Sequence, residues 1–163
     1  MLNRPQEALR AYDQAYTLAQ ATSDHRTEGD ALVGRGRAYL ALGQCEQAVQ
    51  AYQSALTTAD TFGLRDLAGA VQIEIGKYYR DQGNAERALQ AIGAVLAVAK
   101  SNNDVATQIW ALTEIGRAQR ELAQYPEAEQ SYEQALTLAQ KLGEPQLLTQ
   151  IQTDLSKVLR SSG

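Results

Sequence analysis

The sequence has one cysteine, Cys45, and one histidine, His25, in 163 residues. A single thiol cannot close an internal disulfide. The two together fall short of a zinc centre, which takes about four such ligands. A Ser-His-Asp or Cys-His catalytic set would have to use His25, which falls at a predicted helix start and reads as a solvent-facing residue of the first turn. No apolar run approaches the roughly 18 residues of a membrane-spanning helix. The opening stretch, MLNRPQEALRAY, lacks the apolar core of a secretory signal, which points to a cytoplasmic chain. A basic excess is missing too: 15 Lys and Arg face 19 Asp and Glu, a net charge of −4. No general positive field is there to gather nucleic acid. Gly34 and Gly36 stand close together, but inside a helical pattern and without the rest of a phosphate-cradling G-x-G-x-x-G loop. No acid–base or nucleophile–base set is visible, so the chain is not expected to be an enzyme or to carry a cofactor or metal.

What the sequence does have is a repeat. Ala8, Ala48, Ala88 and Ala128 recur every 40 residues. Tyr12, Tyr52, Ile92 and Tyr132 follow four residues on, then Ala15, Ala55, Val95 and Ala135, then Tyr16, Leu56, Leu96 and Leu136. Steps of 4, 3 and 1 put these columns on one helix face. Alternating small and large side chains let a neighbouring helix come close and receive a ring. A second helix precedes each of these, marked in its middle by Gly36, Gly76, Gly116 and Ser156. Glycine within a helix costs about 1 kcal/mol against alanine, so its recurrence in register points to close helix–helix contact.

Punctuation agrees with the period. Gly43, Gly83 and Ala123 follow the first helix of each repeat, and Gly63, Asn103 and Gly143 follow the second. Glycine and asparagine adopt a left-handed helix end at low cost. Asp24 and Asp104 stand as N-caps and Pro145 fits a first helical turn. The pattern predicts helices over about 4–21, 25–42, 45–62, 65–82, 85–102, 105–122, 125–142 and 145–161.

The segment LTEIGRAQRELAQYPEAEQSYEQAL resembles a tetratricopeptide repeat. Leu112, Ile115, Gly116, Tyr125, Ala128, Tyr132 and Ala135 fill that family's places. The period of 40 exceeds the family's usual length of about 34 and is similar to the extended repeats of kinesin light chains and of multi-repeat bacterial signalling proteins. HEAT and armadillo arrays share a long period but not this Gly-then-Ala-Tyr-Ala order. Two further departures stand out. The first-helix tyrosine, present as Tyr39 and Tyr79, becomes Gln119 and Leu159. Arg35 occupies a column that is otherwise Ile75, Ile115 and Leu155, with its stem expected to pack and its head to reach solvent.

The resemblance implies an all-α fold, a right-handed α-solenoid of about eight helices in antiparallel pairs, with first helices lining a concave groove. Leu2-Asn3-Arg4-Pro5 aligns with Leu42-Gly43-Gln44-Cys45, and Gly163 with Gly83. The expected order is therefore one lone second helix (4–21), full repeats at about 24–63, 64–103 and 104–143, and a lone first helix (145–161), all in one domain of 1–163 that reads like a slice of a longer array. Tyr16, Leu9, Leu155 and Leu159 are candidates for apolar surface left uncovered at the ends, which makes a homo-oligomer through the terminal helices one alternative. The polar run Gln150, Gln152, Thr153, Asp154, Ser156 and Lys157 reads instead as a solvating cap.

Function in such arrays is binding of a peptide or protein segment in the groove. Helical spacing turns four stripes inward, and they hold two rows of cations: Arg37, Lys77, Arg117 and Lys157, then Arg80, Arg120 and Arg160. Guanidinium forks suit carboxylates, so an acidic or C-terminal segment fits. Trp110, the one tryptophan, lies on the same face as either an anchor or a packed ring. The competing reading is a solvated ladder of ion pairs within each helix, since Glu74, Glu114 and Asp154 stand three residues before Lys77, Arg117 and Lys157, and Asp81 and Glu121 four after Lys77 and Arg117. The second row has fewer obvious partners. The groove lacks the asparagines of a chaperone-tail carboxylate clamp. A peptide-sensing segment of a larger bacterial regulator is a further reading of the same features.

Overall fold

The computed structural model describes residues 4–161. Among them the secondary structure is eight helices and the turns between them: α1 Arg4–Thr22, α2 His25–Ala41, α3 Cys45–Thr61, α4 Arg65–Asp81, α5 Ala85–Ser101, α6 Val105–Glu121, α7 Tyr125–Leu142 and α8 Pro145–Ser161. Each agrees with its expected span to within a residue. Leu2, Asn3 and Gly163, on which the alignment of the ends rests, lie outside the described residues.

One turn is used throughout. The residue at 23, 43, 63, 83, 103, 123 and 143 is left-handed each time, with φ between +54° and +75°. Four are glycines, and the others are Ser23, Asn103 and Ala123. Six times the next residue sends its N–H back five positions, at 2.8 to 2.9 Å, closing the end of the helix just finished. That same residue opens the following helix. Asp24, Asn84 and Asp104 each accept the backbone N–H three residues on, at 3.1 Å. A helix of about 17 residues and a turn of three thus recur without slack, and successive helices run back on one another.

The chain falls into two compact units, Met1–Ile75 and Gly76–Gly163, with the division inside α4. In the first, Ala48, Tyr52, Ala55 and Ala59 of α3 form the core with Leu32 and Val33 of α2 and Leu67 and Val71 of α4. In the second, Ala128, Tyr132, Ala135 and Ala139 of α7 do so with Ile109 and Leu112 of α6 and Ile151 and Val158 of α8. Both tyrosines are fully buried. A ring of that size removes on the order of 200 Å² from water. At about 25 cal/mol per Å² this is roughly 5 kcal/mol before the phenol's desolvation is charged against it.

The mid-helix glycines are where these rings sit. A Cβ on Gly36 would run into the Tyr52 ring, one on Gly116 would lie 2.9 Å from Tyr132, and one on Gly76 would lie 2.6 Å from Ile92. Each side chain belongs to the next helix, 16 residues along. The ends differ from expectation in part. Leu159 is half exposed, but Leu9, Tyr16 and Leu155 are all half-buried. The most exposed large apolar residue among the described ones is Leu18 of α1, at 66%. Its column carries Thr58, Val98 and Leu138 elsewhere, and those three are half-buried. The outward polar run of α8 is mixed: Gln150, Gln152, Thr153 and Lys157 are exposed, Ser156 is half-buried and Asp154 is buried.

Candidate functional site: the charged face of the first helices

The first unit holds one pair on this face. Arg37, exposed on α2, donates from Nη2 to Oε1 of Glu74 on α4 at 3.1 Å. That hydrogen bond raises the guanidinium's pKa against the pull of burial. Beneath lies the Tyr52 phenol, pushed up to about 12 by burial first and then by the charge of Glu74. Gly34 occupies the column that holds Glu74, Glu114 and Asp154 elsewhere, because the Tyr12 ring fills the space its side chain would need.

The second unit holds a continuous series. Arg80 of α4 donates to Glu114 of α6 at 2.8 Å and to Asp81 at 3.0 and 3.1 Å. Arg117 donates to Glu114 at 2.6 Å and, through Nε and Nη2, to Asp154 of α8 at 3.0 and 2.7 Å. Lys157 closes the series on Asp154 at 2.8 Å. The two acids are 5% and 6% exposed. A carboxylate so deep in the protein requires this many donors. Burial alone would raise the Asp154 pKa, but the hydrogen bonds from Lys157 and Arg117 outweigh it and hold the group below the ordinary carboxylate value. Tyr132 repeats the Tyr52 arrangement, its phenol raised to about 12 by burial and then by Asp154.

The intrahelical pairs Glu114–Arg117 and Asp154–Lys157 are present as the spacing predicts. Glu121 makes no ion pair among the described residues. Sequence reasoning missed the pairing between helices. Arg37 to Glu74 and Arg117 to Asp154 both span 37 residues, and Arg80 to Glu114 spans 34. The recurrence of cation and acid in step with the repeat was the signal for it. Arg80 therefore departs from the expectation that the second row is poor in partners. Arg120, half-buried, and Arg160, exposed, fit it: neither side chain makes an ion pair among the described residues. Lys77 is half-buried and has a partner. Trp110 is half-buried on α6, with the buried Thr113 next on its stripe.

His25 is more than a solvent-facing residue. Its ring stacks on Phe62, with centroids 3.5 Å apart and planes within 7°. Its Nδ1 lies 3.2 Å from Glu28. Among the described residues no group of three or more His, Cys, Asp or Glu could hold a metal ion, and no helix is long and apolar enough to cross a membrane.

Comparison with known proteins agrees with this architecture. No curated protein matches the sequence. Among solved structures, a Podosopora anserina protein described as a kinesin light chain with nearly identical TPR-like repeats superposes with a TM-score of 0.80 at 21% identity, over 98% of this chain and 80% of that one. BtubC (BKLC) from P. vanneervenii gives 0.76 at 15% identity, over 99% of this chain and 85% of its own. A signal transduction ATPase with numerous domains from Pyrococcus horikoshii, described as having a tetratricopeptide repeat sensor, gives 0.85 at 21%, over 99% of this chain and 25% of that protein. At these identities the likeness is one of fold. The family described as tetratricopeptide repeat matches residues 1–61 and 67–141, and with more than half of its length so matched, the chain belongs to the tetratricopeptide repeat family.

Proposed function

We propose that this chain is a non-enzymatic, cytoplasmic scaffold that holds a peptide or protein segment against the first-helix face of its second unit. The fold is one of protein–protein interaction scaffolds. The observation that carries the finer reading is the division of labour among the cations. Arg80, Arg117 and Lys157 are engaged with Glu114 and Asp154 and set the surface. Arg120 and Arg160 have no acid of their own among the described residues and offer their forks to an incoming carboxylate. Trp110, ten residues before Arg120, stands about 15 Å up the helix as an apolar anchor. The favoured ligand is an extended acidic segment with one large apolar side chain, and neither nucleic acid nor membrane is a partner.

The test is fluorescence anisotropy with labelled acidic peptides chosen from a peptide array, on the native chain and on Arg120→Ala/Arg160→Ala. A loss of about tenfold in affinity, with the melting temperature unchanged, is the expected result. Undiminished binding by the double variant overturns the groove. The exposed Leu18 supports the alternative of self-association through a terminal helix, which light scattering on dilute protein decides. The likeness to a larger ATPase that has a tetratricopeptide repeat sensor supports a third reading, a peptide-sensing segment of a regulator.

A further inference from the structure

Arg35 stands alone in a column of isoleucine and leucine, and the first-helix face makes no use of it. It lies two residues before Arg37, about 200° around α2 and so on the opposite side of the helix. Its guanidinium does not simply reach solvent, as its stem-and-head chemistry suggests. The side chain is 25% exposed, with Nε 3.0 Å from Oδ1 of Asp13 on α1. The Cζ sits 5.3 Å over the ring of Tyr16. The ion pair is not a hydrogen bond: the buried Nε–H finds no acceptor in line with it. The head is therefore fixed in place by a charge on one side and a ring below, with its donors unspent.

Arg35 also lines a cavity of about 190 Å³ between α2 and α3, together with Leu32, Tyr39, Gln47, Gln50, Ala51 and Ser54. The volume is on the order of six waters. The cavity lining offers two amides, two hydroxyls and one guanidinium beside the buried Leu32 and Ala51. The rest of the chain shows what an arginine in such a setting takes. Arg80 holds two carboxylates, Glu114 and Asp81, and Arg117 holds two, Glu114 and Asp154. Arg35 holds one, as Arg37 does, but Arg35 also lines an open cavity.

We infer that the α2–α3 cavity of the first unit is a carboxylate site, in which an external carboxylate takes the free fork of Arg35 and the Gln47 and Gln50 amides while Asp13 and Tyr16 hold the guanidinium from behind. The chemistry is the same whether the carboxylate is that of a small free acid or of a glutamate or aspartate on a protein partner. The site is independent of Arg120 and Arg160.

The experiment is an NMR shift titration of the full chain with succinate, with N-acetyl-glutamate N-methylamide, and with sodium chloride as the ionic control. The resonances followed are the Arg35 Nε–H and the Gln47 and Gln50 side-chain amides. Saturable, carboxylate-dependent shifts are expected in the millimolar range. They should weaken about tenfold in Arg35→Ile, which installs the residue that this column carries at Ile75 and Ile115 and so keeps the packing. Arg35→Lys keeps the charge but loses the fork, and should weaken them as well, which covers the case in which the isoleucine variant fails to fold. Saturation by succinate alone assigns a small acid; saturation by the blocked glutamate assigns a partner's side chain. Shifts no larger than chloride produces, or shifts that survive both substitutions, overturn the site. The Arg120→Ala/Arg160→Ala variant should titrate like the native chain, so this result and that for the first-helix face stand or fall separately.

Discussion

Ala123 occupies a position that the chain fills elsewhere with glycine, serine or asparagine. Its φ is +57°. An L-residue with a Cβ pays roughly 1–2 kcal/mol there, part of which the stiffer unfolded chain returns. Ala123→Gly should therefore raise stability by about 0.5–1 kcal/mol, read as a higher midpoint in urea with an unchanged slope. Mid-helix glycines obey a different rule. A Cβ at Gly93 meets nothing within 4 Å, whereas one at Gly116 lies 2.9 Å from the Tyr132 ring, which is wholly enclosed and cannot step aside. The same substitution should act with opposite sign at the two sites. Gly93→Ala should gain about 0.5–1 kcal/mol from helix propensity, and Gly116→Ala should lose about 1–3 kcal/mol to overpacking. Thermal melts of the two variants check this, and equal shifts would refute the role given to the glycine column. That column was legible in the sequence because its cost demanded a reason. Gly93 shows that the residue type alone does not supply one.

At the scale of the element, the helix ends carry the regularity. At Asp24, Asn84 and Asp104 one residue closes a helix with its backbone N–H and opens the next with its side chain, so helix length and turn length are set together there. Asp104 accepts the Thr107 N–H and hydroxyl, and these bonds hold its pKa below the usual carboxylate value. Asp104→Ala should cost about 1 kcal/mol at neutral pH, and Asp104→Asn very little, since Asn84 caps α5 in the same way. A depressed carboxylate stabilises the fold above its unfolded pKa and ceases to as the pH falls through the folded one. The gap between native and alanine variants should accordingly close in acid. Urea melts at pH 7 and pH 2.5 test both statements. Helix positions, caps and most left-handed turns could be read from the sequence, because each rests on contacts within a few residues. Ser23 could not: nothing in a serine announces a positive φ.

For the molecule as a whole, the local rules stop short at the charges. Arg117 has an acid three residues back on its own helix, Glu114, and another 37 residues on, Asp154 of α8. A linear sequence displays only the near one as a pair. The fold brings both within reach, and Arg117 uses both. The acids so gathered are buried, and this makes their removal asymmetric. Replacing Asp154 by asparagine leaves Lys157 without its counter-charge and Arg117 with Glu114 alone, at a site 6% exposed to solvent, and should cost on the order of 1–3 kcal/mol at pH 7. Its pH dependence should set it apart from a mere packing defect. The Asp154 pKa lies below its ordinary 3.8, since the bonds from Lys157 and Arg117 more than offset the burial that opposes them. Its contribution is thus complete above about pH 4 and disappears as the solution is acidified through the folded pKa. The native chain should lose stability steeply there, and Asp154→Asn, already lacking the group that titrates, should lose it less steeply. Melting temperatures taken from pH 6 down to pH 2 decide the matter: parallel curves for the two proteins would mean that Asp154 fills space in α8 and that its charge does not tie α6 to it.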